Sequence, residues 1–545
     1  MLFGKKKEKE QRSVLEEEQM QSPFRTIIKN LLENKLAMGG LIVFVSIFAM
    51  CFILPIWFHQ DLNYQDPTQK NIAPGFSFLS VPSDLKDNAE VIEFGPTYGV
   101  GVDKDGYVYE WGQLTKNLKK IPADMGKVVD IAVGQDHVLA INDKGTLYTW
   151  GFNRMGLNVI PPELKGKKIA DIEAGYQVSV VVTEDGKVVS WGNTSAVDIS
   201  TANVKDEKVK EVKANIQTAI ALTKDGKVIS LAKKETALDN VPEEVQGKAV
   251  DISGGRNHLV VVTEDGNAVA WGGNENNQAK VPAKATNIAK LASGYYQNCI
   301  IKEDGSVVTW GLKGYLLGTD NLGRNVFYRI LKGGQMTMTV GFIAVIIQFA
   351  IGILVGGISG YYGGTVDILL MRLAEVVGSL PFIPLALILS ALIGNKVSDV
   401  GRIIMIMLIL GFLGWTGIAG LVRAQVLAER NKEFVVAAKA LGVKEKNIIF
   451  RHIVPNVMTI IIVQATISFA TCMLTESGLS FLGFGVAEPI PSWGNMLNNC
   501  RSSEVISQYW WRWVFPSVVL GLCTVSINLF GDGLRRAVDP KANER

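Results

Sequence analysis

The sequence predicts a multi-domain chain. A polytopic α-helical membrane domain of six transmembrane helices is interrupted, after its first helix, by an all-β propeller. Three observations predict this. Apolar stretches of membrane-spanning length occur once near the N-terminus and again through the last 210 residues, where ~20 apolar residues suffice to cross a bilayer. A repeat of 39–41 residues fills the interval between them. Basic residues flank the apolar stretches unevenly, and such asymmetry orients membrane segments.

The chain has 545 residues, is 48% hydrophobic and carries a formal net charge of +3. Residues 60–315 hold 28 Lys and Arg against 33 Asp and Glu, a mildly acidic balance that argues against nucleic-acid binding. The positive excess therefore lies in the membrane region. Cys51, Cys299, Cys472, Cys500 and Cys523 show neither a disulfide framework nor metal-ligand spacing.

Residues 1–35 are charged, with Lys5, Lys6, Lys7 and Lys9 leading. Leu36–Phe58 is the first span; it starts too late and runs too long for a cleavable signal. Its basic flank places the N-terminus in the cytoplasm and the chain outside near His59. The repeats cover 79–311. Trp-Gly pairs close a strand at Trp111, Trp150, Trp191, Trp271 and Trp310, with Leu231-Ala232 as a degenerate copy. A glycine turn precedes each closing strand, five times as Asp-Gly (Asp105-Gly106, Asp185-Gly186, Asp225-Gly226, Asp265-Gly266, Asp304-Gly305) and once as Lys144-Gly145; Asp-Gly between β-rich runs is a strong hairpin signal. Six such units read as six blades around an axis, and flanking sequence leaves room for a seventh. Five more spans are expected near 336–358, 378–395, 402–424, 456–477 and 513–531, the second with the amphipathic lead-in GYYGGTVDILLMRLAEVV. This topology makes the propeller extracellular and places the 425–455 loop and the C-terminus inside. Arg423, Arg430, Lys432, Lys439, Lys444, Lys446 and Arg451 in or beside that loop agree with it, as do Arg535, Arg536, Lys541 and Arg545 in the tail. Lys396 and Arg402 on a short outer loop run against it.

The 425–455 loop carries EFVVAAKALG. Phe434, Ala438 and Leu441 recur at helical spacing, and Gly442 supplies a left-handed stop. A small-faced helix of this kind suits pressing into a partner's groove. In the propeller, the turns after the upstream glycines place Tyr98, His137, Tyr176, His258 and Tyr296 at comparable points. They form a candidate ligand rim, since tyrosines with polar neighbours suit recognition; unselected turn residues explain them about as well. Glu476 lies near the end of a span, where an ionisable side chain is either functional or interfacial. Arg372 and Glu375 read as an ordinary surface pair.

Four motifs carry a family resemblance: LLGTDNLGR (316–324), EFVVAAKALG…RHIVPN (433–456), ESGLSFLGFGV…PSWGNML (476–497) and GDGLRRAVDP (531–540). Together they resemble the C-type inner-membrane permease of oligopeptide, dipeptide and nickel ABC importers. The resemblance covers about 1–60 and 312–545, in order, and the inserted repeats resemble those of the regulator of chromosome condensation family. It implies a type I importer permease in the plasma membrane that moves di- or oligopeptides by alternating access. The implied partners are a second permease subunit in a heterodimer, two ATPase subunits and an extracellular solute-binding lipoprotein. It assigns Glu433, Phe434, Val436, Ala437, Ala438, Leu441 and Gly442 to a coupling helix docked on the ATPase, with Val436 in place of the usual glutamate. Asn325 stands where aspartate is frequent, and LLGTDNLGR reads as a structural collar. The chain has no phosphate-binding loop of the Gly-x-x-x-x-Gly-Lys-Ser/Thr type, so ATP and Mg belong to partner subunits, and no cofactor, metal site or catalytic constellation is expected here. The competing reading is a membrane-anchored receptor whose external propeller binds a protein or cell-wall ligand.

Overall fold

The computed structural model describes residues 23–538 apart from 59, 77–78, 195–198, 233–237 and 395–396. The basic residues Lys5, Lys6, Lys7, Lys9, Lys396, Lys541 and Arg545 fall outside that range. The chain divides into two compact units, Met1–Tyr64 with Asn325–Arg545, and Gln65–Arg324.

The helical unit begins with α1 (Pro23–Glu33) and α2 (Lys35–Trp57), where Asn34 caps α2 by accepting from the Ala37 N–H. It resumes with α3 (Val326–Tyr362), α4 (Gly364–Ser379), α5 (Phe382–Gly394), α6 (Asp399–Glu429), α7 (Glu433–Ala440), α8 (Val454–Leu482), α9 (Trp493–Asn498) and α10 (Trp511–Val538). Among the described residues five helices are long and apolar enough to cross a membrane; α4 and α5 make a sixth span only if counted together, and they meet at a 75° bend. The span expected near 378–395 corresponds to α5, and its lead-in meets it at this bend. Pro381 explains the break: it removes a backbone donor and pushes Leu380 into an extended conformation. The amphipathic lead-in is itself α4.

Glycines set the helix packing. Gly352, Gly356 and Gly360 lie four residues apart on α3 and face α6; a Cβ on Gly356 would stand 2.4 Å from the Ala419 carbonyl oxygen. This small-xxx-small spacing lets two backbones approach closely where no hydrophobic force between helices operates. Gly40 of α2 meets α10 in the same way: a Cβ there would stand 2.6 Å from the Ser526 carbonyl oxygen.

The second unit contains six three-stranded antiparallel sheets, spanning 89–112, 128–151, 169–192, 209–230, 249–272 and 288–311. Their first strands neighbour one another in sequence order, and the last closes on the first. That is a propeller-type ring, and six blades are seen among the described residues. Each first strand carries a bulge at the same place, as at Val128/Asp130 and Ala249/Asp251. In four of the five closing strands that carry Trp, the indole has a fixed partner. Trp150, Trp191, Trp271 and Trp310 donate their indole N–H to Leu118, Leu157, Leu238 and Gln278 carbonyls in the preceding connections. In the degenerate fourth blade the fully buried Leu231 keeps the packing and forgoes that bond.

The chain enters and leaves this ring through one neck. The Asp66 N–H donates to Leu322, Asn71 to Asp320 and Thr319 to Ile72, and Gly75 bridges Tyr315. Gly323 takes φ +74° hard against the Asp66 carbonyl, a conformation and a closeness that favour glycine. LLGTDNLGR is thus the outgoing half of a two-stranded collar. Asp320 holds Arg324 at 2.7 Å, and Asn325 caps α3 by accepting from the Phe327 N–H.

Candidate functional site: the loop helix and the polar interior of the helical unit

The 425–455 loop is a built element. α7 has Glu433 in its first turn and Lys439 in its last, both favourable to the helix dipole. Gly442 follows at φ +73°. Val435 and Ala438 are buried in the helical core with Ile448, Ile449 and Ile453. Phe434, Val436, Ala437 and Leu441 are exposed, Leu441 by 83%. The sequence expectation is corrected in one respect: Ala438 faces its own chain, not outward with Phe434 and Leu441. The inward pair is Val435 with Ala438, three residues apart, a spacing visible in the sequence but overshadowed by the larger Phe434 and Leu441.

This loop is tied to the spans. The Tyr362 hydroxyl at the end of α3 donates to Glu445 at 2.7 Å, and the Lys439 ammonium sits 5.0 Å from the Tyr361 ring centre. Arg423 on α6 grips Asp367 on α4 with two 2.5 Å bonds. Val435 and Ala438 of α7 share one packed core with Val345 and Phe349 of α3 and Val422 and Val426 of α6.

Glu476 is fully buried on α8. It accepts from Thr337 of α3 (2.9 Å), Ser480 (2.6 Å) and Ser477 (3.3 Å). Ser480 in turn accepts from the Val486 N–H, and Thr337 from the Trp493 N–H. The Trp493 indole donates to the Ile330 carbonyl and packs on Gly334, while a Cβ on Gly494 would stand 2.3 Å from the Ser477 oxygen. ESGLSFLGFGV…PSWGNML is thus one folded turn fastened to α3 by a buried carboxylate. The reading of Glu476 as an interfacial group in water is corrected by its burial.

Four of the five candidate rim residues, Tyr98, His137, His258 and Tyr296, are buried and do not form a rim. Tyr98, His137 and His258 are buried between blades. The Tyr98 hydroxyl donates to Gly134 (3.0 Å), His137 Nε2 pairs with Ser179 Oγ (3.0 Å), and His258 Nε2 with Asn298 Oδ1 (2.7 Å). The upstream glycines make room: a Cβ on Gly134 would sit 2.7 Å from the His137 ring. Burial lowers both imidazoles to about 4. Tyr296 is buried and donates to Asp66 at 2.6 Å, beside the Arg256–Asp66 ion pair at 2.5 Å. Tyr176 is half-buried and, with Tyr295 and Arg256, lines a small axial cavity. Along the axis the inner strands present Asp130, Asp171, Glu211 and Asp251 at equivalent positions. Lys213 stands 3.6 Å from Glu93 and 3.3 Å from Glu173. Desolvation pushes Glu93 up to about 8 and Asp251 to about 7. Among the described residues no group of three or more His, Cys, Asp or Glu could hold a metal ion.

The long apolar helices define a multi-pass membrane protein, and sequence comparison agrees. Residues 352–544 match the profile of the binding-protein-dependent transport system inner membrane component, and 22–74 that of the N-terminal transmembrane domain of oligopeptide transport permease C. Regulator of chromosome condensation repeats match 128–156 and 249–278. The dipeptide transport system permease protein of Bacillus subtilis is 41% identical over 224 residues, 41% of this chain and 68% of its own length. The oligopeptide transport system permease protein of Haemophilus influenzae is 40% identical over 231 residues, 42% of this chain and 72% of its own. The chain belongs to the binding-protein-dependent inner-membrane permease family, with a regulator-of-chromosome-condensation-like propeller inserted.

Proposed function

We infer that this chain is a permease subunit of an ATP-driven peptide importer. The observation that carries this is the ordered match of the helical unit to dipeptide and oligopeptide permeases over about seven-tenths of their length. The chain pairs with a second permease, two ATPases and an external solute-binding lipoprotein. Six spans, with α4 and α5 as one bent segment, put the propeller outside and both termini inside. ATP and Mg reside on the ATPase subunits, and this chain is not an enzyme.

In this reading Phe434, Val436, Ala437 and Leu441 enter a groove of the ATPase, while Glu433 and Gly442 frame the helix. Val435 and Ala438 fix it to the spans. Closure of the ATPases then moves α7 together with α3 and α6, a rigid-element transfer between two discrete arrangements. The receptor alternative leaves this exposed apolar helix without a role. Purification from detergent through a tag on this chain tests the assignment. Two ATPases and one further permease should co-purify; a chain isolated without any ATPase contradicts it.

A further inference from the structure

Below the Glu476 latch, α8 carries Gln464, Ser468, Thr471 and Thr475. At 100° per residue these four fall within a ~60° arc, so they form one stripe on the helix. The stripe faces a cavity of about 500 Å³ whose far wall is α6 at Gly414 and Gly417, with Phe382 at one side and Gln348 of α3 among its lining residues. Gly414 exists to admit Gln348: a Cβ there would stand 2.2 Å from the amide nitrogen. Gly417 has open space around it. None of the lining side chains is ionisable apart from Cys472.

A polar stripe on a span-length apolar helix is costly unless it faces water, a partner or a solute. Its hydrogen-bonding capacity is largely uncommitted. Thr471 and Thr475 spend their protons on the Ile467 and Thr471 carbonyls, which leaves their oxygens as acceptors. Gln348 spends its amide N–H groups on the Leu410 carbonyl and Cys472 sulfur, which leaves its carbonyl oxygen. Gln464 and Ser468 make no side-chain hydrogen bond among the described residues. Successive stripe residues rise by about 6, 4.5 and 6 Å, ~16 Å in all. An extended peptide repeats its outward N–H and C=O groups on one side every ~7 Å.

We propose that this stripe is the present subunit's wall of the translocation path, and that it reads the main chain of an extended peptide without regard to side-chain charge. The proposal rests on the permease reading and adds its substrate logic. Uncharged acceptors and donors satisfy amide groups common to every peptide. A fixed charge would favour one sign of side chain and penalise the other. About five residues of extended chain span the stripe, so a tripeptide meets about three-fifths of it at a time.

The test uses the whole importer, with both permeases, ATPases and binding protein, in proteoliposomes. Uptake is compared for three tripeptides that differ only in a central Ala, Lys or Glu. The double variant Ser468→Ala, Thr471→Val should lower uptake of all three by the same factor, about fivefold to tenfold, and Thr471→Ser should retain it. Ser468→Asp should separate the Lys from the Glu peptide by about tenfold in favour of Lys, which a merely structural role would not produce. A Thr471→Cys variant adds a readout independent of turnover: a water-soluble maleimide should modify it, and saturating peptide with ATP should slow that reaction. Wild-type uptake in all variants without charge preference, or a cysteine whose labelling peptide never alters, overturns the proposal. Failure of the unmodified importer to take up any of the three peptides would instead overturn the permease reading.

Discussion

At the residue scale, the burial of polar groups decides their roles. Tyr98, His137 and His258 stand beside turns, and in the sequence a turn tyrosine or histidine reads as a binding residue. Burial converts them into staples between neighbouring blades, and the glycine three residues upstream is the only sequence sign of it. His137→Ala removes the bond to Ser179 and opens a cavity between the second and third blades. It should cost about 2–3 kcal/mol, visible as faster hydrogen exchange in residues 137–142 and 178–183. The axial carboxylates predict a pH effect. Glu93 and Asp251 have folded values near 8 and 7 against ordinary values of 4.5 and 3.8. The folded ring therefore binds more protons than the unfolded chain between those limits, and its stability falls as pH rises through 7 and 8. His137 and His258 act in the opposite sense between 6.5 and about 4. Exchange protection of the first and fifth blades should drop from pH 6.5 to 8.5, and Glu93→Gln should flatten that drop; an unchanged profile would contradict the assignment.

At the element scale, α7 was legible as a helix with a glycine stop because its cues are local. Which face it buries was not, since Val435 and Ala438 find their partners in Ile448, Ile449 and Ile453 across a turn that periodicity does not report. The α4–α5 bend was half legible: Pro381 marks it, but the apolar run continues through it and hides the angle. The exposed Leu441 should be a contact anchor. Leu441→Ala should leave subunit assembly intact and lower peptide-stimulated ATP hydrolysis severalfold, because truncating a buried apolar anchor costs about 2 kcal/mol or more. At Gly442, φ +73° makes any β-branched residue strained; Gly442→Val should uncouple hydrolysis from uptake. Coupled uptake at the normal ratio in that variant would remove the docking role.

At the scale of the whole molecule, repeat period and apolar length made the two parts legible. The propeller announces itself through turns and Trp-Gly pairs that every blade must repeat. What the period cannot show is the neck, where Asp66, Asn71 and Gly75 pair with Leu322, Asp320 and Tyr315 across some 250 residues of sequence. Because the two ends of the inserted ring already touch, its removal need not disturb the collar. A chain lacking 77–313, closed by a short flexible linker between Phe76 and Gly314, should still assemble with its partners and transport.

We infer that this chain forms half of a peptide path driven by partner ATPases. The most direct measurement is accumulation of a labelled tripeptide by proteoliposomes holding the complex purified through this chain, with binding protein present. Uptake that requires both ATP and the binding protein, and that falls when Leu441 is truncated, is the predicted result. A complex that hydrolyses ATP yet accumulates no peptide above the ATP-free control would rule out a peptide path through this chain.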